Sequence, residues 1–176
     1  MLDKDLIKGA IKGKESSMNA LYQKYERLWF RLCLRYAKDK QQAEDIFQEG
    51  LFNIFKDLKQ FDPDRGKFST WSGRVFVNAA LRFIKKSQWQ QTFEDISTLD
   101  YQLPSIQHII GSISAKELTS VIQQLPTGYR IIFNMYELEG YSHKEIAQKL
   151  NISIGTSKSQ LSKAKKLLRY RIEQLF

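Results

Sequence analysis

Three stretches of this 176-residue chain carry side chains whose types and spacing suit binding chemistry. In "NISIGTSKSQLSKAKKLL", residues 151–168, the apolar positions Ile154, Leu161, Ala164 and Leu168 form one stripe of an amphipathic helix. Ser157, Lys158, Gln160, Ser162, Lys163, Lys165 and Lys166 are then expected to face outward. They combine short hydrogen-bonding groups with cations and include no carboxylate. That mix suits the grooves and phosphates of a nucleic acid.

The second stretch, "AEDIFQEGLFNIFKDL", turns Ala43, Ile46, Phe47, Ile54 and Phe55 to a core and sets Asp45, Gln48, Glu49 and Phe52 on one opposing helical row. An exposed Phe beside carboxylates in an otherwise basic chain points to a protein partner. A core Phe52 beside ordinary solvated acids fits the same spacing. The third row is Trp71, Arg74, Asn78, Arg82 and Lys85, with Val75, Ala79 and Phe83 on another face. An aromatic, an amide and cations together suit splayed single-stranded bases. Lys67 and Phe68, in the Pro and Gly turn "FDPDRGKFST", stand where side chains can close over an extruded base. A Trp at a helix start fits a core position equally well.

Chemistry that makes or breaks covalent bonds finds little support. A processing nuclease or recombinase needs a nucleophile or clustered carboxylates, and only Asp62 and Asp64 come near each other, in a segment that reads as a turn. His108 and His143 stand alone and read as surface or capping residues. Cys33 is the single cysteine and reads as a buried thiol. No metal and no cofactor is expected.

These rows need helices to hold them, and helical spacing recurs along most of the chain while period-two alternation is rare. The fold expected is all-α. Helices are predicted over 3–12, 17–37, 41–60, 69–86, 114–124, 126–138, 142–150 and 154–174. The net charge of +9 is unevenly spread. Residues 1–86 hold 18 Lys or Arg against 11 Asp or Glu, residues 87–125 hold one against four, and residues 126–176 hold nine against four. The acidic middle, broken by Pro104 and Gly111, reads as a linker between two small helical domains. The domains expected are 1–87 and 113–176, joined by 88–112.

In the second domain, Ser142 and Glu145 make a capping-box pattern before a short helix, "NIS" makes a turn, and Ser153 caps a longer helix. Ile132, Phe133 and Tyr136 are expected as core, and Pro126 in a first helical turn. A short helix, a tight turn and a longer helix form a helix-turn-helix, which places Thr156, Ser157, Lys158, Ser159, Gln160 and Lys163 nearest the major groove. The first residues are charged and lack the apolar core of a signal peptide, and no apolar run suffices to span a bilayer, so a cytoplasmic protein without membrane insertion is expected. A stand-alone helix-turn-helix transcriptional regulator accounts for the second domain but gives the rows of the first no purpose.

In order, "AEDIFQEGLFNIFKDLKQF", "GKFSTWSGRVFVNAALRFIKK" and "LPTGYRIIFNMYELEGYSHKEIAQKLNISIGTSKSQLSKAKKLL" resemble the extracytoplasmic-function group of bacterial RNA polymerase sigma factors. The resemblance implies a promoter-recognition subunit with two helical domains. It implies that Asp45, Gln48, Glu49 and Phe52 dock on the RNA polymerase core, at the coiled coil of its largest subunit. It implies that Lys67, Phe68, Trp71, Arg74, Asn78 and Arg82 melt and capture the minus-10 promoter element. Thr156, Ser157, Lys158, Ser159, Gln160 and Lys163 would read the minus-35 duplex, and an anti-sigma factor is implied as a further partner. The sequence departs from the family at Ser157, often a β-branched apolar residue there, and at Gln160, often Arg. No relative's promoter sequence therefore carries over.

Overall fold

A computed structural model describes residues 3–88 and 114–174, so the predicted linker 88–112, apart from its first residue, lies outside the described residues, as does His108. Among the described residues every regular element is helical, in agreement with the all-α expectation. The chain divides into two compact units, Met1–Ser87 and Gln88–Phe176.

The first unit runs α1 (Asp3–Ile11), α2 (Glu15–Tyr36), α3 (Lys40–Asp57), a 3₁₀ turn (Leu58–Gln60) and α4 (Phe68–Gln88). Its core is built around Trp29, fully buried, whose ring stacks on Tyr25 at 5.7 Å and on Phe76 at 5.3 Å. The indole N–H donates to Ser72 Oγ at 3.0 Å, which in turn donates to the Ser69 carbonyl at 3.2 Å, so the one polar atom of the ring is satisfied inside the core. Asp39 caps α3 by accepting the Gln42 amide at 2.8 Å. Helices α3 and α4 meet closely where Gly50 faces Phe76, and a Cβ there would lie 2.2 Å from the ring. Cys33 is buried as expected, and burial pushes its thiol up to about 12.

The second unit runs α5 (Ala115–Gln123), α6 (Thr127–Phe133), a π-helical turn (Asn134–Leu138), α7 (His143–Leu150) and α8 (Ile154–Glu173). Val121, Ile122, Leu125 and Tyr129 pack on Ala164, Leu167 and Leu168. Buried Arg130 donates from Nη1 to the carbonyls of Gln123 (2.8 Å) and Leu125 (3.1 Å), tying the end of α5 to α6. Two expectations are corrected here. Pro126 caps α6 from just outside it, its carbonyl accepting the Arg130 amide at 2.9 Å. Tyr136, expected in the core, is exposed, because the wider π-helical turn shifts the side-chain phase after Phe133.

Candidate protein and nucleic-acid interfaces

On α3 the sequence pattern translates directly into a surface. The Asp39 cap starts the helix with Ala43, Ile46, Gly50 and Ile54 buried, which leaves Asp45 and Gln48 exposed, Glu49 half-buried and Phe52 67% exposed on the outer side. The alternative of a core Phe52 is thereby excluded. An uncovered phenyl ring beside two carboxylates is apolar surface that a protein partner can cover.

On α4, Arg74, Asn78, Arg82 and Lys85 are exposed while Phe76, Val77, Ala79 and Ala80 are buried. Trp71 is half-buried and lies 5.6 Å from Phe61 and 5.7 Å from Phe68, so part of its ring belongs to the core. Phe68 corrects the sequence reading. It begins α4 rather than sitting in the turn, is buried, and packs edge-on against Tyr25 at 5.1 Å and Phe61 at 5.3 Å, so its ring is not available to a ligand. Lys67 remains exposed. The turn before it is closed by the Asp62 side chain, which accepts the Asp64 amide at 2.9 Å, and an open cleft between this turn and α1 is lined by Asp3, Lys4, Ile7, Phe61, Asp64, Arg65 and Lys67.

The two rows of this unit are not independent. Arg82 Nε lies 3.2 Å from Glu49 Oε1, across a groove lined by Asp45, Glu49, Arg82, Phe83 and Lys86. Spacing along one helix carries no sign of a pair between two helices.

In the second unit the helix-turn-helix forms as its sequence predicts. Ser142 accepts the Glu145 amide at 3.3 Å, and the Glu145 carboxylate accepts the Ser142 amide at 2.8 Å. Asn151 takes the left-handed conformation (φ 56°) that ends α7, and Ser153 accepts the Thr156 amide at 2.8 Å to begin α8. Leu161 and Ala164 are buried with Ile146, Ala147 and Leu150 of α7.

The register of α8 differs from the reading at three positions. Ile154 is 45% exposed, whereas Ser157 is fully buried and Gln160 only 3% exposed. The buried stripe is therefore Ser157, Gln160, Leu161, Ala164, Leu167 and Leu168, and Ile154 lies off it. Ser157 Oγ lies 2.9 Å from His143 Nδ1, and the His143 ring stacks on Tyr136 at 4.4 Å, so neither Ser157 nor His143 is the isolated surface group expected. Burial and the charges of Lys158 and Lys165 lower the His143 pKa below its ordinary 6.5, favouring the neutral ring. Lys158 and Ser159 are exposed, and Thr156 and Lys163 are half-buried. Exposed Ser162 and Lys166 extend that surface, whereas Lys165 turns to Glu137 at 2.6 Å. The signal for this register lay in the sequence: Ser157 precedes Leu161, Ala164 and Leu168 by four, seven and eleven residues, on their stripe.

No described helix is long and apolar enough to cross a membrane. Among the described residues no group of His, Cys, Asp or Glu is arranged to hold a metal ion. Residues 21–90 match the family model for Sigma-70 region 2, and residues 115–168 match that for Sigma-70 region 4. The chain is 27% identical over 186 residues to the ECF RNA polymerase sigma factor SigW of Bacillus subtilis, covering 99% of each protein. It is 28% identical over 154 residues to SigM of the same organism, covering 87% of this chain and 93% of that one. Among solved structures its fold is similar to CnrH in complex with the cytosolic domain of CnrY, with TM-score 0.53 and 17% identity over 98% of this chain and 97% of that one. It is likewise similar to the sigma factor RpoE in complex with the anti-sigma factor NepR from Bartonella quintana, with TM-score 0.53 and 18% identity over 88% and 97% of the two chains. With both regions matched in order, and full-length relatives of one kind, the chain belongs to the extracytoplasmic-function group of RNA polymerase sigma factors.

Proposed function

We propose that the chain directs RNA polymerase to promoters by binding alone, with three surfaces in distinct roles. The outer row of α3, Asp45, Gln48, Glu49 and Phe52, docks on the coiled coil of the polymerase's largest subunit. The carboxylates complement a basic surface and Phe52 supplies the apolar anchor. On α4, Arg74 and Asn78, with the exposed edge of Trp71, hold the melted minus-10 strand, and Lys67 flanks the cleft beside α1 into which an extruded base is taken. Phe68 supports that cleft from the core. On α8, Thr156, Lys158, Ser159 and Lys163 face the minus-35 major groove, whereas Ser157 and Gln160 hold the helix from behind.

The observation that carries this reading is the presence of both sigma regions, in order, on two separate helical units of one chain. Residues 1–87 are proposed as the region 2 domain, 88–112 as linker and 113–176 as the region 4 domain. The reading places the protein where polymerase and promoter are, in the cytoplasm, and assigns it no enzymatic step. An anti-sigma protein is proposed as its antagonist, in keeping with the complex in which its structural relative RpoE was solved.

The docking surface is tested by reversing its charge. Asp45→Lys combined with Glu49→Lys abolishes association with core polymerase in a pull-down while the circular dichroism spectrum stays that of the parent chain. Retention of core by the double variant contradicts the assignment. For the DNA surfaces, if the protein neutralises about six phosphates, log affinity of the holoenzyme falls against log salt with a slope of about −5.

A further inference from the structure

A protein interface that holds two chains together takes about 800 Å² and about 20 residues from each partner. The single row of α3 supplies four side chains, Asp45, Gln48, Glu49 and Phe52, far fewer than that, so a docking surface of ordinary size takes in the ground beside it. The ground beside Glu49 is the groove between α3 and α4. Asp45 and Glu49 form its acidic wall, Arg82 and Lys86 its basic wall, and half-buried Phe83 adds apolar surface between them. The close approach of the two helices at Gly50 and Phe76 fixes the spacing of these walls. Arg82 leans towards α3, with Nε 3.2 Å from Glu49 Oε1, while its side chain remains 59% exposed.

We propose that this groove is the second half of the polymerase-docking surface, receiving a helical partner that presents both signs of charge, and that Arg82 serves docking rather than the melted DNA strand. The inference rests on the docking role proposed for α3. Two observations favour it over a strand-binding role for Arg82. The guanidinium is already held at the acidic wall, where the repulsive field of the carboxylates disfavours a phosphate. The basic wall also gives the docking surface mixed charge, which discriminates between partners better than a carboxylate row alone.

The test uses the full chain and two separate readouts. Affinity for core polymerase lacking any sigma factor is measured for the parent, Arg82→Gln, Lys86→Gln and the Asp45→Lys, Glu49→Lys double variant. Binding of a forked, pre-melted promoter, built from a start site mapped by sequencing RNA 5′ ends, is then measured at saturating core. Arg82→Gln and Lys86→Gln each weaken core binding several-fold and leave fork binding at saturation unchanged, and circular dichroism verifies the fold of each variant. If Arg82→Gln keeps full core affinity, or if it weakens the fork complex at saturating core, the proposal is overturned while the α3 assignment stands. If the α3 double variant keeps core affinity, the docking role itself falls and this proposal with it.

Discussion

At Gly50 the backbone of α3 comes so close to Phe76 that the hydrogen is the only substituent that fits. A methyl group there would lie 2.2 Å from the Phe76 ring carbons, and that ring is fully buried. Gly50→Ala is expected to destabilise the N-terminal unit by about 1–3 kcal/mol, seen as an earlier thermal transition of the full chain, and an unchanged transition contradicts the packing described. Arg130 is a buried charge of the other unit. Its Nη1 bonds to two carbonyls at the end of α5, so Arg130→Ala is expected to cost at least about 2 kcal/mol, read by chemical denaturation. His143 ties stability to pH. Burial, Lys158 and Lys165 lower its pKa in the folded chain below 6.5, so the unfolded chain binds this proton more readily. The contribution is fully present above pH 6.5 and declines as pH falls from 6.5 through the lower folded value. His143→Asn keeps a polar atom near Ser157 and removes that part of the pH dependence, which a melting series from pH 5 to 8 measures.

The elements were largely legible from spacing and caps. Ser142 with Glu145, and Ser153, mark the starts of α7 and α8 in the sequence, and both caps form with the bonds their residue types imply. Ser153→Ala is expected to cost about 1 kcal/mol and to fray the first turn of α8, lowering minus-35 affinity more than it lowers fork binding. What the sequence concealed has a common cause. A polar side chain reads as exposed, yet Ser157 and Gln160 are polar and buried because the seven-residue stripe of Leu161 and Leu168 passes through or beside them. Apolar character misleads in the opposite sense at Ile154, which lies off the buried stripe of its helix, and at Tyr136, where a π-helical turn shifts the phase. Phe68 reads as part of a turn because Pro63 and Gly66 precede it, whereas four aromatic neighbours, Tyr25, Trp29, Phe61 and Trp71, hold it in the core. Pairs made between helices, such as Glu49 with Arg82 and His143 with Ser157, depend on tertiary packing that periodicity along one helix does not encode.

For the whole molecule, the charge distribution and the division into two units carry the functional account. Two basic halves separated by an acidic stretch suit a protein that grips one polyanion at two places. Each surface alone offers few contacts, so promoter affinity is expected to depend on polymerase, which raises the effective concentration of the second unit once the first is bound. The free chain is accordingly expected to bind promoter fragments weakly in a mobility-shift assay, and addition of core to strengthen binding by at least about 100-fold. The most direct measurement is reconstituted transcription on a template carrying a start site mapped after overexpression of the chain. Core polymerase with the purified protein is expected to give a transcript of one defined 5′ end, and core alone none. The same product from core alone, or no transcript from the reconstituted pair when the folded chain is bound to core, would contradict the assignment of this chain as a promoter-recognition subunit.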